Sequence, residues 1–518
     1  MSEKNKLEDL RLKINESLRV QRDTNSIDYI NIGNALNDAI ARQNHAIFAR
    51  RGCGKTLLLH KSAEKLRPEV ATVYLNCEDF KRHSFPNVLI EILKSIFLEI
   101  RSHLTGWFGR KRRLKQIVDN VLARLEQLKR ESDSVAEDIR HKAASASSAE
   151  VGLATALKSP AGSLSTGAKA SKSHSDEVEK TFSVYREKLT ELDHWLPDLK
   201  REIREFFDLS NEKKFLFIQI DDLYHLRRAD QAFVVDYIHR LCKDVPLFFK
   251  IATLRHASSL YADRQGQPIG AQERHDYQSI NIDYTFADFR KTSEQNWSIL
   301  KSFGEAVDLP EEKLTALFKG EGWPRLVMAG GGVPRDVLSL FVEILSQTET
   351  SSGEKIGKDE VRILSRENFE RRIEELKQDS QDEEQGDLLK GIYIIRKFCL
   401  DKKTNIFMVE ERLLQQNDAL RALFYRLMDY RIIHNCATAL THKSVEGTYQ
   451  AFAIDIGCYA HLRKLQGRFN EIDVSDRGAR EQMRSAPIID QEELAEIANN
   501  LPQDIEGALL EVDMEDAA

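Results

Sequence analysis

The chain has 518 residues, of which 41% are hydrophobic and 31% are charged, and its net charge of −7 argues against a general affinity for polyanions. Its six cysteines form no C-x-x-C pair, which argues against a disulfide framework or a zinc site and favours a reducing, cytoplasmic setting. The sequence has no run of about 18 apolar residues and no signal-peptide segment at its start, so we expect no membrane contact.

A glycine-rich turn lies near the start of the chain, at 49–56, between a predicted strand at 45–48 and a predicted helix at 57–66. This order places backbone N–H groups at a helix N-terminus, where they bind phosphate. Lys55 would reach the β and γ phosphate oxygens, and the Thr56 hydroxyl would bind Mg²⁺. The alternative is a chance Gly-Lys-Thr sequence at the start of a helix.

We expect the nucleotide to contact a continuous run of residues: Arg51, Gly52, Cys53, Gly54, Lys55, Thr56 and Leu57. Ala49 stands where the usual pattern has glycine, but Gly52 and Gly54 still allow the backbone to approach a phosphate closely. We expect Cys53 to be an inert thiol rather than an oxidation-sensitive one.

A long insertion follows the predicted second strand at 71–75 and the predicted helix at 85–104. It begins with a basic patch at 110–115, and its two ends carry apolar stripes at helical spacing. The stripes are formed by Leu114, Ile117, Val118, Val121, Leu122, Leu125 and Leu128, and by Val178, Phe182, Tyr185, Leu189, Leu192, Leu196, Leu199 and Ile203. They predict an antiparallel helical hairpin that projects from the core, with a flexible Ala/Ser/Gly-rich tip at 143–175. The hairpin is either an arm that reaches a partner or DNA, or a solvated coiled coil.

An apolar run at 214–220 ends in the paired acids Asp221 and Asp222, about 165 positions after Lys55. In a parallel sheet these acids would lie at the carboxyl edge of a strand. Asp221 would hold Mg²⁺, and Asp222 would orient or deprotonate the attacking water. Aspartate is shorter than the glutamate common at this second position, so we expect slow hydrolysis. The alternative is a strand that ends in a solvated turn.

Two later segments hold candidates for sensing the γ-phosphate. The strand predicted at 247–253 ends in Thr253, and we prefer this residue to Arg255; ordinary polar residues at a strand exit are the alternative. Further on, Pro334 suits the first turn of a helix and places Arg335 in that turn.

In these motifs, at 49–56, 217–222, Thr253 and 332–335, the chain resembles the AAA+ ATPases, in particular their origin-recognition (initiator-type) branch and its bacterial relatives. The resemblance covers roughly 25–350 without the insertion. It implies ATP and Mg²⁺ as cofactors, and it implies that Arg335 is a second sensor on a helical lid. The segment 273–284 is similar to the arginine-finger segment of that family, so Arg274 would reach the γ-phosphate of a neighbouring subunit; a surface arginine is the alternative.

The C-terminal part of the chain predicts a smaller unit. From 387 to 470 the pattern reads helix, strand, two helices, strand, turn and strand, which is a winged-helix order. This unit has 13 Lys/Arg and 8 Asp/Glu, in contrast to the acidic chain as a whole, which suits contact with DNA phosphates. Arg421 and Arg426 would face a groove, with Lys443 in the wing. A purely protein-packing role is the alternative.

The fold class that we predict is α/β: a P-loop NTPase (AAA+-like) parallel sheet core with a helical lid, a coiled-coil hairpin insertion and a C-terminal winged-helix domain. The expected segments are the first part of the ATPase core (1–105), the hairpin insertion (106–208), the rest of the core (209–305), the lid and linker (306–386), the winged helix (387–470) and an acidic tail (471–518).

The function that we expect is that of a slow ATPase whose nucleotide state controls assembly, as a homo-oligomer or with a partner protein, and contact with DNA. The resemblance implies a prokaryotic setting in replication, a mobile element or phage defence. The alternatives are a signalling NTPase that senses a protein partner and a scaffold that binds ATP without hydrolysing it. A nuclease has no support, because no further metal-binding carboxylate cluster accompanies the ATPase pair.

Overall fold

The computed structural model of the protein describes residues 3–18, 29–31, 33–83, 85–104, 110–130, 186–210, 212–264, 266–347, 355–380, 382–460 and 469–510. The tip predicted at 143–175 lies outside the described residues, as do the apolar positions predicted at 178–185 and the last residues, 511–518.

The described helices, in chain order, are α1 (Glu3–Ser17), α2 (Ala35–Ala39), α3 (Lys55–Glu64), α4 (Phe85–Ser102), α5 (Arg110–Arg130), α6 (Arg186–Leu209), α7 (Arg228–Cys242), α8 (Phe289–Glu305), α9 (Glu311–Ala316), α10 (Gly322–Ala329), α11 (Pro334–Gln347), α12 (Lys358–Asp379), α13 (Asp382–Asp401), α14 (Glu411–Gln416), α15 (Asp418–Asp429), α16 (Ala479–Met483), α17 (Gln491–Asn499) and α18 (Ile505–Leu510). The described strands are β1 (His45–Phe48), β2 (Val70–Asn76), β3 (Phe215–Asp221), β4 (Leu247–Thr253), β5 (Tyr261–Arg264), β6 (Gln267–Gly270), β7 (Gln278–Asn281), β8 (Ile406–Glu410), β9 (Ile433–Leu440) and β10 (Tyr449–Ile454).

A parallel sheet of five strands, in the order β2-β3-β4-β1-β7, forms the centre of the first part of the described chain. Strands β3 and β4 are buried apolar runs, because helices cover both faces of the sheet. The order places the end of β4 between the turn that follows β1 and the acids that end β3. This mixed α/β arrangement agrees with the predicted class and is compatible with a P-loop core of the AAA+ kind.

The described parts of the insertion form a helical layer that packs on helices α4 and α7. Helices α5 and α6 bury their apolar stripes in the same core as α4 and α7, and the Tyr237 hydroxyl of α7 donates to the Leu192 carbonyl of α6 over 2.7 Å. Lys94 of α4 lies 2.9 Å from Glu126 of α5. The described parts of the predicted hairpin therefore lie along the core instead of projecting from it, because each stripe has helix α4 or α7 to pack against as well as the other stripe.

The region predicted as lid and linker (306–386), together with α8 before it, shares one hydrophobic core with the C-terminal part. Helices α8 to α11 contribute to it together with α12, α13 and the antiparallel sheet β8-β10-β9. Helix α1 also packs there, through buried Leu10 and Ile14. The order of helices and strands between 382 and 454 follows the predicted order, with α13, β8, α14, α15, β9 and β10 in sequence.

The described part of the acidic segment is folded against this unit. The Met408 N–H of β8 donates to Pro487 over 2.8 Å, and the Ile489 N–H donates back to Met408 over 2.9 Å. Ile489, Leu494 and Leu509 are buried in the common core. The apolar positions of the segment therefore anchor it, and Glu493 adds an ion pair of 2.6 Å with Lys402.

Candidate functional site

The turn after β1 has the backbone that a phosphate loop needs. Gly52 and Gly54 have positive φ angles of 88° and 86°, which side chains rarely tolerate. Ala49 is not among the described residues with positive φ, which is why alanine is tolerated where the usual pattern has glycine. Gly54 caps the N-terminus of α3 in the left-handed conformation.

Lys55 lies at the first position of α3, and its side chain turns back into the loop. Its Nζ donates to the carbonyls of Ala49 and Arg50, over 3.2 and 3.4 Å. Cys53 is buried, and burial raises the pKa of its thiol above the usual value. The two bonds from Lys55 hold its ammonium group where phosphate oxygens would meet it.

The two acids of β3 have different surroundings. Asp221 is buried, accepts a hydrogen bond from the Tyr74 hydroxyl over 2.8 Å and also bonds to the Thr56 hydroxyl. Burial and the neighbouring Asp222 charge raise the pKa of Asp221 to about 6, against the effects of Thr56 and Lys55. Asp222 has a φ of 51° and is partly exposed.

Asp221 and Thr56 together form a group of hard oxygen ligands of the kind that binds Mg²⁺, with the remaining positions left to phosphate and water. Among the described residues there is no cluster of three or more His, Cys, Asp or Glu that could hold a metal by itself. The oxygen donors of Thr56 and Asp221 would suit a magnesium ion.

The lid meets the phosphate loop at Gly52. The Arg335 N–H donates to the Gly52 carbonyl over 3.3 Å. A Cβ atom at Gly52 would lie 2.9 Å from the Arg335 Cβ, 2.9 Å from the Val333 Cγ1 and 3.2 Å from the Arg335 Nε. The side chain of Arg335 therefore passes directly over the loop, and Gly52 is needed for this close approach as well as for its φ.

A cavity of about 300 Å³ lies between these elements. The predicted residues 51–57, Asp222 and Arg335 all line it. Its remaining walls come from Pro334 and from residues that sequence reasoning missed: Ser17, Leu18, Tyr29, Ile30, Glu78, Tyr224, His225, Gln295, Ile299, Phe303 and Leu338. Ile299 and Phe303 of α8 and Leu338 of α11 give the cavity an apolar wall beside its polar groups, as is usual for small-molecule sites.

Three predicted residues are not among the described residues that line the cavity: Asp221, which lies beside Thr56, and also Thr253 and Arg274. Thr253 ends β4, is fully buried and bonds through its hydroxyl to Ser258. Arg274 is exposed in the turn before β7, with a φ of 72°. Arg255, the other candidate after β4, pairs with Glu273 over 3.2 Å and lies over the Phe48 ring.

Arg50 is a structural residue that the sequence pattern does not distinguish from its neighbours. Its guanidinium makes two bonds to Asp283, of 2.7 and 2.8 Å, and a third to the Gly331 carbonyl of 2.7 Å. Burial alone would raise the pKa of Asp283, but the Arg50 charge holds it below its usual value. Arg50 thus ties the phosphate loop to the end of β7 and to the entrance of the lid.

The C-terminal unit docks on the core that holds the parallel sheet. Asp429, at the end of α15, accepts the N–H groups of His256 and Ala257 after β4, over 2.8 and 2.7 Å. The Tyr425 ring contacts the His256 ring at a tilt, with 4.6 Å between the ring centroids, and His434 stacks on Phe286. These contacts join residues more than 140 positions apart, and no local pattern signals them.

The basic residues expected to face a groove are paired with acids. Arg426 pairs with Glu384, and its side chain is only 13% exposed. Arg421 pairs with Asp418 in the preceding turn of α15, and Lys443 lies 3.1 Å from Glu481 of the acidic segment. In this arrangement Arg426 is therefore not a groove-facing cation, contrary to the prediction, because Glu384 of α13 covers it.

The parallel sheet, the phosphate loop and the acidic strand edge are together compatible with a nucleotide-binding P-loop core of the AAA+ kind. Comparisons of the sequence with protein-family models and with curated proteins give no match. A solved structure of Drosophila ORC bound to DNA is similar over 87% of this chain and 91% of that chain, at 12% identity and a TM-score of 0.33. Among the described residues, no helix has the length and apolar character that a membrane span requires.

Proposed function

We propose that this chain is an ATP-binding, slowly hydrolysing AAA+-like ATPase whose nucleotide state controls its assembly and its contact with DNA. The observation that carries the proposal is the cavity that is lined by Lys55, Thr56 and Asp222 from the core and by Arg335 from helix α11. A strand, a glycine turn and a helix N-terminus, with a lid cation beside them, suit a triphosphate.

Each residue has a distinct role in this proposal. Lys55 would bind the β and γ phosphate oxygens, while Thr56 and Asp221 would hold Mg²⁺. The bound ion would neutralise phosphate charge. Asp222 would orient the attacking water, and Arg335 would contact the γ-phosphate. The lower reach of Asp222, compared with glutamate, supports slow turnover.

Binding is tested by titration calorimetry with ATP and with GTP, in the presence of Mg²⁺. We expect heat with ATP that is lost in Lys55→Ala and retained in Lys65→Ala, which removes an exposed lysine just after the same helix. Absence of heat with both nucleotides in the unmodified protein would refute the proposal.

Hydrolysis is tested by phosphate release. We expect slow release that falls about 100-fold or more in Asp222→Asn, the lower end of the range for loss of a general base. Release that is zero in the unmodified protein, with ATP still bound, would instead assign the chain to the ATP-bound scaffolds.

Assembly is tested by measuring size in solution with and without ATP and Mg²⁺. The exposed Arg274 is available for a neighbouring subunit, so Arg274→Ala should lower phosphate release only at protein concentrations where the oligomer forms. A loss that does not depend on protein concentration would contradict a role across subunits.

A second candidate function is that of a signalling NTPase whose C-terminal unit packs on its own core and whose partner is a protein. The pairing of Arg426 with Glu384 and the docking of Asp429 on the loop after β4 favour it. DNA retention with ATP, at low and high salt, separates the two functions. Retention that falls with salt and is lost in Arg421→Glu/Lys443→Glu supports DNA contact; retention that is absent or unchanged supports the signalling function.

A further inference from the structure

Glu375 lies on α12 at the junction of three parts of the protein. Its Oε1 is 3.5 Å from the Arg335 Nη2 of the lid, and its Oε2 accepts a hydrogen bond from Arg431 of the C-terminal unit. One carboxylate is therefore shared between the arginine that lines the nucleotide cavity and an arginine that belongs to another part of the chain.

Arg431 makes this junction rigid. Its Nη1 donates to the Arg51 carbonyl of the phosphate loop over 3.3 Å and to both carboxylate oxygens of Asp336 over 3.0 and 2.9 Å. Arg431 follows the end of α15 with a φ of 64°, a position where glycine is usual. An arginine in a conformation that suits glycine indicates that the guanidinium, rather than the backbone, matters at this position.

The charges around Glu375 favour its ionised form. Burial would raise the pKa of Glu375, but the charges of Arg431, Arg335 and Arg51 hold it below its usual value. Arg51 and Arg335 both line the cavity. Glu375 thus supplies negative charge to the same arginines that a triphosphate would contact.

The Arg335 contact is the weaker of the two that Glu375 makes. The Arg335 and Glu375 side chains are 31% and 32% exposed and their separation of 3.5 Å is long, whereas Arg431 is 3% exposed and donates to both Asp336 and Glu375. Arg335 can therefore leave Glu375 while Arg431 keeps it in place.

We propose that Glu375 is a positioning residue that holds Arg335 without nucleotide and competes with the γ-phosphate for it, so that Glu375 sets the preference for ATP over ADP. This inference rests on the proposed function, because it needs a nucleotide in the cavity. The Glu375 charge also acts on Arg51, but that effect is common to ADP and ATP. The ratio of the ATP and ADP affinities therefore isolates the effect on Arg335.

The test measures ATP and ADP affinity, with Mg²⁺, for four proteins: unmodified, Glu375→Gln, Arg335→Ala and the double variant. We expect Glu375→Gln to increase the preference for ATP over ADP by about fivefold, the upper range for a partly exposed ion pair. We expect no such increase when the change is made in the Arg335→Ala protein, because the cation for which Glu375 and the γ-phosphate compete is then absent.

The matched control is Glu374→Gln on the same helix, since Glu374 pairs with Lys377 at the surface and its side chain is 57% exposed. It should leave the ATP preference unchanged. If Glu375→Gln fails to fold, Glu375→Asp keeps the charge but shortens the reach to Arg335, and it should shift the preference in the same direction by a smaller factor.

An equal change in ATP and ADP affinity, or the same shift in the Arg335→Ala background, would overturn the inference and leave the proposed function intact. Absence of any nucleotide binding by the unmodified protein is a different result, and it would remove the proposed function itself.

Discussion

The two glycines of the phosphate loop provide a test of how the lid is docked. Gly52 and Gly54 have almost the same φ, 88° and 86°. Their surroundings differ: an added Cβ at Gly52 would lie 2.9 Å from atoms of Val333 and Arg335, whereas at Gly54 no described atom lies within 4 Å. Alanine at the two positions should therefore cause similar backbone strain but different collisions.

The magnitudes follow from these contacts. An alanine in left-handed backbone costs about 1–2 kcal/mol, of which about 0.4–1 kcal/mol is offset by the lower entropy of the unfolded chain. We expect Gly54→Ala to lose about 1 kcal/mol on this account. Gly52→Ala should lose about 1–3 kcal/mol more, the usual loss from overpacking, because the lid helix must move to relieve the contact.

The assay is hydrogen exchange of the amides in α11, together with the first transition in urea unfolding, since a chain of this size is not expected to unfold in one step. In Gly52→Ala the amides of α11 should exchange faster, while in Gly54→Ala they should keep the protection of the unmodified protein. Equal exchange of α11 in the two variants would refute the docking of Arg335 over Gly52.

Three further outcomes follow from buried groups. Asp455→Ala leaves the buried charge of Arg372 without its main partner, so urea unfolding should show a loss of about 3–5 kcal/mol, and a loss below about 1 kcal/mol would contradict the pairing. Burial lowers the pKa of Lys250 to about 7, so above about pH 7 the unfolded chain binds more protons than the folded chain and stability rises with pH. Lys250→Met should remove about 2 kcal/mol of this rise between about pH 7 and about pH 9. An unchanged dependence of stability on pH in the variant would contradict the lowered pKa. A Cβ at Gly457 would lie 2.3 Å from a backbone oxygen of α12, whereas a Cβ at Gly478 would have its nearest atom 3.7 Å away. Gly457→Ala should therefore lower the melting temperature clearly more than Gly478→Ala. Equal melting temperatures for the two variants would argue against the close contact of Gly457 with α12.

The parts of the site that the sequence predicted are local in the chain. A glycine turn between a strand and a helix, and an apolar run that ends in acids, each carry their own pattern of spacing. The structure places 51–57, Asp222 and Arg335 around one cavity, and it places Asp221 beside Thr56. The roles of these residues toward a nucleotide remain proposals.

The helical insertion shows the limit of such patterns. An apolar stripe indicates that a helix buries one face, but it does not indicate which element covers that face. The pairing of two stripes predicted a projecting hairpin, whereas the described parts of α5 and α6 pack beside α4 and α7.

What the sequence determined by itself is thus local in the chain: the glycine-rich turn between a strand and a helix, the strand that ends in paired acids, the mixed α/β class and the order of elements in the C-terminal unit. Tertiary structure alone decided that Arg431 would reach the phosphate loop, that Glu375 would be shared with Arg335, and that Glu384 would cover Arg426. The physical reason is that hydrophobic periodicity and turn chemistry act over a few residues, whereas ion pairs form between whichever side chains the packing of distant helices brings together.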